Sequence, residues 1–361
     1  MVLYNVLFWC IVLQYPCVSI VGGRGTGKTV FVGLLGNTAI NYSVEVKQHF
    51  RYFASPEAVT KIQEIVQSLK LRQWPQATLK GSLSEYKFSF AYSKSLIGIL
   101  KGKFMGLFKR LESPEREFYN TIDFSVYDIS GEDAEVVFRA ASLARDRGSS
   151  VLEMIPGTLE TALDCNVTVF LVDSSKTTID NSRPEYKEML EYDGLMASLM
   201  SLVALYRFKK YGVEAGKLFP VFVFTKFDLV DKEVLKVLGI PENFDRWLWD
   251  NSRNRKEIEE RLTKLMKRFY QHTLAIIYGG VIMNVPLEKA RMFVSYLMTE
   301  LSEEGTPVPR VVKASDNVSY DIAYSRSEYV RFIEHFGMIA DKIKKARKVP
   351  EEVASVTGVG R

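Results

Sequence analysis

Residues 22–29 read Gly-Gly-Arg-Gly-Thr-Gly-Lys-Thr and follow the apolar run Cys17-Val18-Ser19-Ile20-Val21. The spacing G-x-x-x-x-G-K-[ST] demands a buried strand, a tight glycine turn and a helix, in that order, and so restricts the fold more than any other feature. Gly22, Gly25 and Gly27 let the backbone curl so that successive N–H groups face inward around a phosphate, with Gly23, Arg24 and Thr26 filling the turn. Lys28 brings a point charge for the β and γ oxygens of a polyphosphate, and the Thr29 hydroxyl is placed to ligate Mg²⁺. A helix predicted from Thr29 to Leu35 aims the positive end of its dipole at the same anion.

Two further motifs follow in order. Phe124-Ser125-Val126-Tyr127-Asp128 has strand patterning and runs into Ile129-Ser130-Gly131-Glu132. An Asp at a strand end, here Asp128, suits the Mg²⁺ shell, and Gly131 three residues on offers its N–H to a γ-phosphate. Asp-x-x-Gly is weak alone, since such tetrapeptides are common in turns. Further on, Pro220 opens a strand over Val221–Phe224 that delivers Thr225-Lys226-Phe227-Asp228, the pattern [NT]-K-x-D. A carboxylate at Asp228 can accept two hydrogen bonds from the ring N–H and exocyclic amine of guanine. Adenine offers no such donor pair and is rejected. The Lys226 stem can lie along the base plane.

With these three motifs in this order, the chain resembles the translation-factor-like class of Ras-type GTPases; its Trp-Pro-x-x-Thr piece at Trp74–Thr78 and Phe-Val-Ser piece at Phe293–Ser295, with long spacers, are most similar to the group called double-GTPases. The resemblance implies a three-layer α/β fold, a mostly parallel sheet flanked by helices, with insertions. It implies two more site residues. Trp74-Pro75-Gln76-Ala77-Thr78 resembles a first switch, whose threonine joins Mg²⁺ and senses the γ-phosphate. Arg291-Met292-Phe293-Val294-Ser295 resembles the last strand, with Ser295 near the guanine carbonyl. Glu132 stands where relatives often carry a Gln or His that orients water. It is read as orienting water, as repelling phosphate, or as a first-turn helix residue. Arg24, bulky for such a loop, is read as an internal arginine finger, as a block to a partner's arginine, or as a solvent-facing side chain. Lys28, Glu132 and Arg24 are therefore the catalytic candidates. The implied activity is Mg²⁺-dependent hydrolysis of GTP by a molecular switch with an effector or regulator protein. The alternatives are a non-hydrolysing GTP-dependent scaffold and an ATP-using enzyme.

Composition agrees with a globular protein: 361 residues, 47% hydrophobic and 25% charged. Because the motifs stretch from Gly22 to Ser295, one domain over 17–346 is expected, with an insertion near 94–118 and a flexible tail at 347–361. Strands are predicted at Val18–Val21, Tyr86–Tyr92, Thr121–Asp128 and Val167–Asp173. The second and third should be an antiparallel pair, and the last, nearly continuous in apolar residues, a buried parallel strand. Helices are predicted at Tyr186–Tyr206, Arg253–Tyr270 and Tyr324–Lys345. Cys10, Cys17 and Cys165 lack metal spacing and cannot all pair, so reduced thiols in a cytoplasm are expected.

Ser95–Leu111 contains no acidic residue and places Leu96, Ile97, Leu100, Phe104, Leu107, Phe108 and Leu111 on one helical arc beside Lys101, Lys103 and Arg110. Such a helix either docks on the domain, the preferred reading, or lies on an anionic membrane surface. The apolar residues 1–16 are too few to span a bilayer, and packing against the fold is expected. The net charge of +5 is mild, and no nucleic-acid motif accompanies it.

Overall fold

The computed structural model describes residues 16–23, 25–76, 84–100, 118–128, 163–215, 218–250, 255–279, 290–313 and 320–356. In chain order its elements begin with β1 (Cys17–Gly22), α1 (Lys28–Glu45), β2 (Phe50–Ala54), α2 (Pro56–Lys70), β3 (Ser84–Ser93), α3 (Lys94–Leu100) and β4 (Phe118–Asp128). Then come β5 (Val167–Asp173), α4 (Pro184–Ala215), β6 (Phe219–Thr225), α5 (Lys232–Leu238), α6 (Phe244–Asp250), α7 (Arg255–Phe269) and α8 (Gln271–Gly279). The chain closes with β7 (Arg291–Val294), the short strands β8 (Thr299–Leu301), β9 (Pro307–Pro309), β10 (Val311–Lys313) and β11 (Tyr320–Ile322), and α9 (Arg326–Val356).

Seven strands form one sheet in the order β2-β3-β4-β1-β5-β6-β7. β1 runs parallel to β4 and β5, β5 to β6, and β6 to β7. Only β3 opposes its neighbours, pairing antiparallel with β2 and β4. The expected pair at Tyr86–Tyr92 and Thr121–Asp128 is thus antiparallel, and Val167–Asp173 is a strand buried along its whole length. Val167, Val169 and Leu171 enter the core layer with α1, α2 and α9, while Phe170 and Val172 enter the layer with α4 to α8. Burial on both faces explains the nearly continuous apolar run. The sheet with a helical layer on each side gives the α/β arrangement expected.

Several elements differ from the sequence expectation. The segment 50–70, unassigned from sequence, makes an edge strand and a helix. Ser55 caps that helix by accepting from the Ala58 amide at 3.2 Å, Pro56 occupies its first turn, and Ala58, Ile62, Ile65 and Leu69 form the buried stripe. Pro220 is the second residue of β6 rather than the first. Phe219 donates to Asn166 on the β5 side, so the next backbone nitrogen faces β7, whose pairing starts only at Val221; the missing N–H therefore removes no ladder bond. α9 runs to Val356, past the predicted end at Lys345 and through most of the expected tail. α4 extends to Ala215 rather than Tyr206.

Of the amphipathic segment 95–111, residues 101–111 lie outside the described residues. Its first turns form α3, where Leu96 and Ile97 are buried and Ile97 packs toward Gly337 of α9. That part of the apolar arc docks on the domain. Residues 1–15 also lie outside the described residues. Among the described residues no helix is long and apolar enough to cross a membrane.

Candidate functional site

β1 ends at Gly22 and the loop curls through Gly25 (φ 72°) and Gly27 (φ 81°), a left-handed conformation that L side chains rarely adopt. A Cβ on Gly22 would meet Thr26 Oγ1 at 2.6 Å, so glycine is required there for closeness rather than dihedral freedom. Thr26 closes the turn, its hydroxyl donating to the Gly23 carbonyl at 2.9 Å. Lys28, 6% exposed, folds back and donates to the carbonyl oxygens of Gly22 and Gly23, both at 2.9 Å. Gly27 is the N-cap of α1 and supplies no capping side chain, and the first turn carries no acidic residue. The first turn of α1 therefore presents backbone N–H groups and a dipole suited to an anion, with Thr29 beside Lys28.

The Thr225-Lys226-Phe227-Asp228 motif lies at the same sheet edge, two strands away across β5. Thr225, 3% exposed, donates from its hydroxyl to the Thr26 carbonyl of the loop at 2.7 Å, with the Val172 carbonyl at 3.1 Å. Lys226 adopts a left-handed backbone (φ 51°), and its ammonium pairs with Asp173 Oδ2 at 2.7 Å. Asp173, the last residue of β5, also holds the Ser175 hydroxyl at 2.6 Å. Asp228 lies within a short helical turn, Phe227–Leu229, and accepts from its own amide and that of Leu297. Burial raises its pKa to about 6, against the pull of those amides and of Lys226.

Ser295 directs its hydroxyl to Tyr329 of α9 at 2.7 Å and its amide to the Phe224 carbonyl at 2.8 Å. The backbone that faces Asp228 belongs instead to Leu297, two residues on. Asp128 ends β4, beside β1 and opposite Ser84 in the register. Arg24, Thr78, Gly131, Glu132 and the side chain of Asp128 lie outside the described residues. Among the described residues no group of three or more His, Cys, Asp and Glu side chains gathers as a metal-binding cluster.

Two neighbours of the loop were not read from sequence. Tyr192 of α4 packs its ring where a Cβ on Gly23 would approach to 3.2 Å, and its hydroxyl donates to the Leu171 carbonyl. Asp173 is the partner of Lys226. Neither has a local signal, because each meets the loop only through the sheet order. No family model and no curated protein matches this chain.

Proposed function

We propose that the chain is a Mg²⁺-dependent GTP-binding protein that hydrolyses GTP to GDP and phosphate and works as a nucleotide-dependent switch. The observation that carries this reading is the Thr225–Thr26 hydrogen bond of 2.7 Å, which ties a guanine-type recognition motif to a phosphate-type loop at one sheet edge. The sheet order supports it too: one antiparallel strand, β3, beside otherwise parallel neighbours, with the loop leaving the central strand β1.

A small hard cation takes oxygen ligands. In this reading Thr29, in the first turn of α1, and Asp128, the last residue of the strand β4 that runs parallel to β1, supply them, joined by Thr78 in the triphosphate state. When bound, Mg²⁺ neutralises charge on the β and γ oxygens. The loop amides and the Lys28 ammonium stabilise the same oxygens as in-line displacement proceeds. Asp228 selects the base, and the Lys226 stem, steadied by Asp173, lines its plane. Loss of the γ-phosphate releases Thr78 and Gly131 and alters the surface an effector reads.

Calorimetry with GTP, GDP and ATP, followed by a phosphate-release assay, tests the reading. Guanine nucleotides should bind about a hundredfold or more tighter than ATP, since adenine leaves the carboxylate unpaired. Equal affinity for ATP overturns the base assignment. Tight GTP binding without phosphate release replaces the hydrolytic switch by a non-hydrolysing scaffold.

A further inference from the structure

At the end of the sheet opposite the loop, two cysteines meet. Val18 of β1 pairs with Val167 of β5, which puts Cys17 level with Asn166 and next to Cys165. Strands about 4.8 Å apart, rising about 3.3 Å per residue, set the two Cα atoms roughly 6 Å apart, within the span of a disulfide. Neither is disulfide-bonded, and the Cys165 thiol donates a hydrogen bond to Cys17. Their exposures differ: Cys165 is fully buried, whereas Cys17 is partly open to solvent.

The surroundings make Cys17 the reactive partner. Arg207 of α4, only 2% exposed, reaches this corner and donates to the Asp164 carbonyl. The Asp164 carboxylate is held by Lys210 at 3.1 Å and the Tyr211 hydroxyl at 2.5 Å, which tempers its negative field. The Cys165 hydrogen bond, aided by the Arg207 charge, lowers the Cys17 thiol from its ordinary value against burial and Asp164. Donation to Cys17, with burial, raises Cys165. A partly exposed thiol with a lowered pKa beside a buried thiol is the arrangement of an attacking and a resolving cysteine.

We propose that Cys17 and Cys165 form a hydroperoxide-reactive dithiol in which Cys17 attacks and Cys165 resolves. The Cys17 thiolate cleaves the O–O bond of hydrogen peroxide, gaining OH as a sulfenic acid while the departing hydroxide takes a proton to become water. Cys165 sulfur then attacks the sulfenic sulfur, and the OH leaves with the Cys165 proton as a second water. The net change is two thiols and one peroxide to one disulfide and two waters. The inference stands independently of the nucleotide reading.

The test uses the reduced full chain treated with hydrogen peroxide, followed by intact mass and peptide mapping. A Cys17–Cys165 cross-link, seen as the loss of two hydrogens and reversed by dithiothreitol, is expected. In Cys165→Ser, dimedone should trap a sulfenic acid at Cys17, while Cys17→Ser should give no adduct at Cys165. If a cysteine variant fails to fold, mapping of the unaltered chain still decides. A cross-link through Cys10, oxygen gained at Cys17 with the Cys165 thiol retained, or thiols that persist under peroxide each overturn the proposal.

Discussion

Asp228 carries the most specific chemistry of any single side chain here, and its environment makes that chemistry dependent on pH. Its carboxyl titrates near 6 when folded, above its ordinary 3.8. A folded pKa above the unfolded one means that folding favours the protonated acid. The contribution to stability is full below about pH 4 and is lost as pH rises through 6. Guanine needs the carboxylate, so nucleotide binding should run the other way. Calorimetric GTP affinity is expected to be flat above pH 7 and to weaken roughly tenfold per unit below 6. Asp228→Asn should separate the two effects: unchanged or higher thermal stability, with GTP affinity reduced about a hundredfold or more. A variant that binds GTP normally would sink the role given to this residue. Lys28→Ala should abolish binding of GTP and GDP alike, measured by fluorescent-nucleotide titration, because it removes the charge common to both. The loop and the Thr225–Asp228 motif were legible because each is contiguous, and contiguous residues announce their geometry without the fold. Tyr192, Asp173 and Leu297 were illegible for the opposite reason, since they reach the site from a helix, a strand and the segment after β7, all distant in sequence from the loop.

Among the elements, α1 and α2 show how closely two helices pack when glycine is the interface residue. A Cβ on Gly33 would lie 2.3 Å from Ile65 Cγ2, and one on Gly36 would lie 2.7 Å from Ile62 Cδ1. Alanine is the better helix former by about 0.5–1 kcal/mol, but the clash outweighs that gain. Gly33→Ala should destabilise by about 1–3 kcal/mol in urea unfolding, and pairing it with Ile65→Ala should recover part of the loss. Gly194 in α4 supplies the control. Nothing lies within 4 Å of its would-be Cβ, so Gly194→Ala should stabilise by about 0.5–1 kcal/mol. The helices with long apolar stripes and the fully buried strand β5 were readable from period alone. The edge strand Phe50–Ala54 was not, because five residues buried on one face leave too short a pattern. The Ser55-Pro56 start of α2 carries a local capping signal in the sequence.

Over the whole molecule, α9 binds the layers together. Glu328, 2% exposed, grips Arg255 of α7 with both oxygens, at 2.6 and 2.8 Å, and accepts from the Val294 amide of β7 at 3.1 Å. Further along the same helix, the Ile333 carbonyl accepts from Tyr92 of β3 at 2.5 Å and Glu334 from Tyr42 of α1 at 3.2 Å. Glu328→Gln leaves Arg255, about a fifth exposed, facing a neutral amide. A loss of about 3–5 kcal/mol is expected in chemical unfolding, and a loss below 1 kcal/mol would show the pair to be dispensable. Such long-range ties cannot be seen in a linear string. The alternation of strands and helices implies the layers, and the period over Tyr324–Lys345 implies the closing helix, but neither shows which strands and helices that helix ties together.

α4 takes hold of β5 at both extremities: Tyr192 on the Leu171 carbonyl, Arg207 on the Asp164 carbonyl just before the strand begins. β5 is apolar on either side, so sliding it along its neighbours would exchange one greasy face for another and meet little hydrophobic resistance. The two clasps, set by a single rigid rod, forbid that slippage. β5, the neighbour of the central strand β1, is thereby indexed by polar anchors from outside the sheet, together with one buried hydroxyl of its own, Thr168, which accepts from Ser19 of β1 at 3.3 Å.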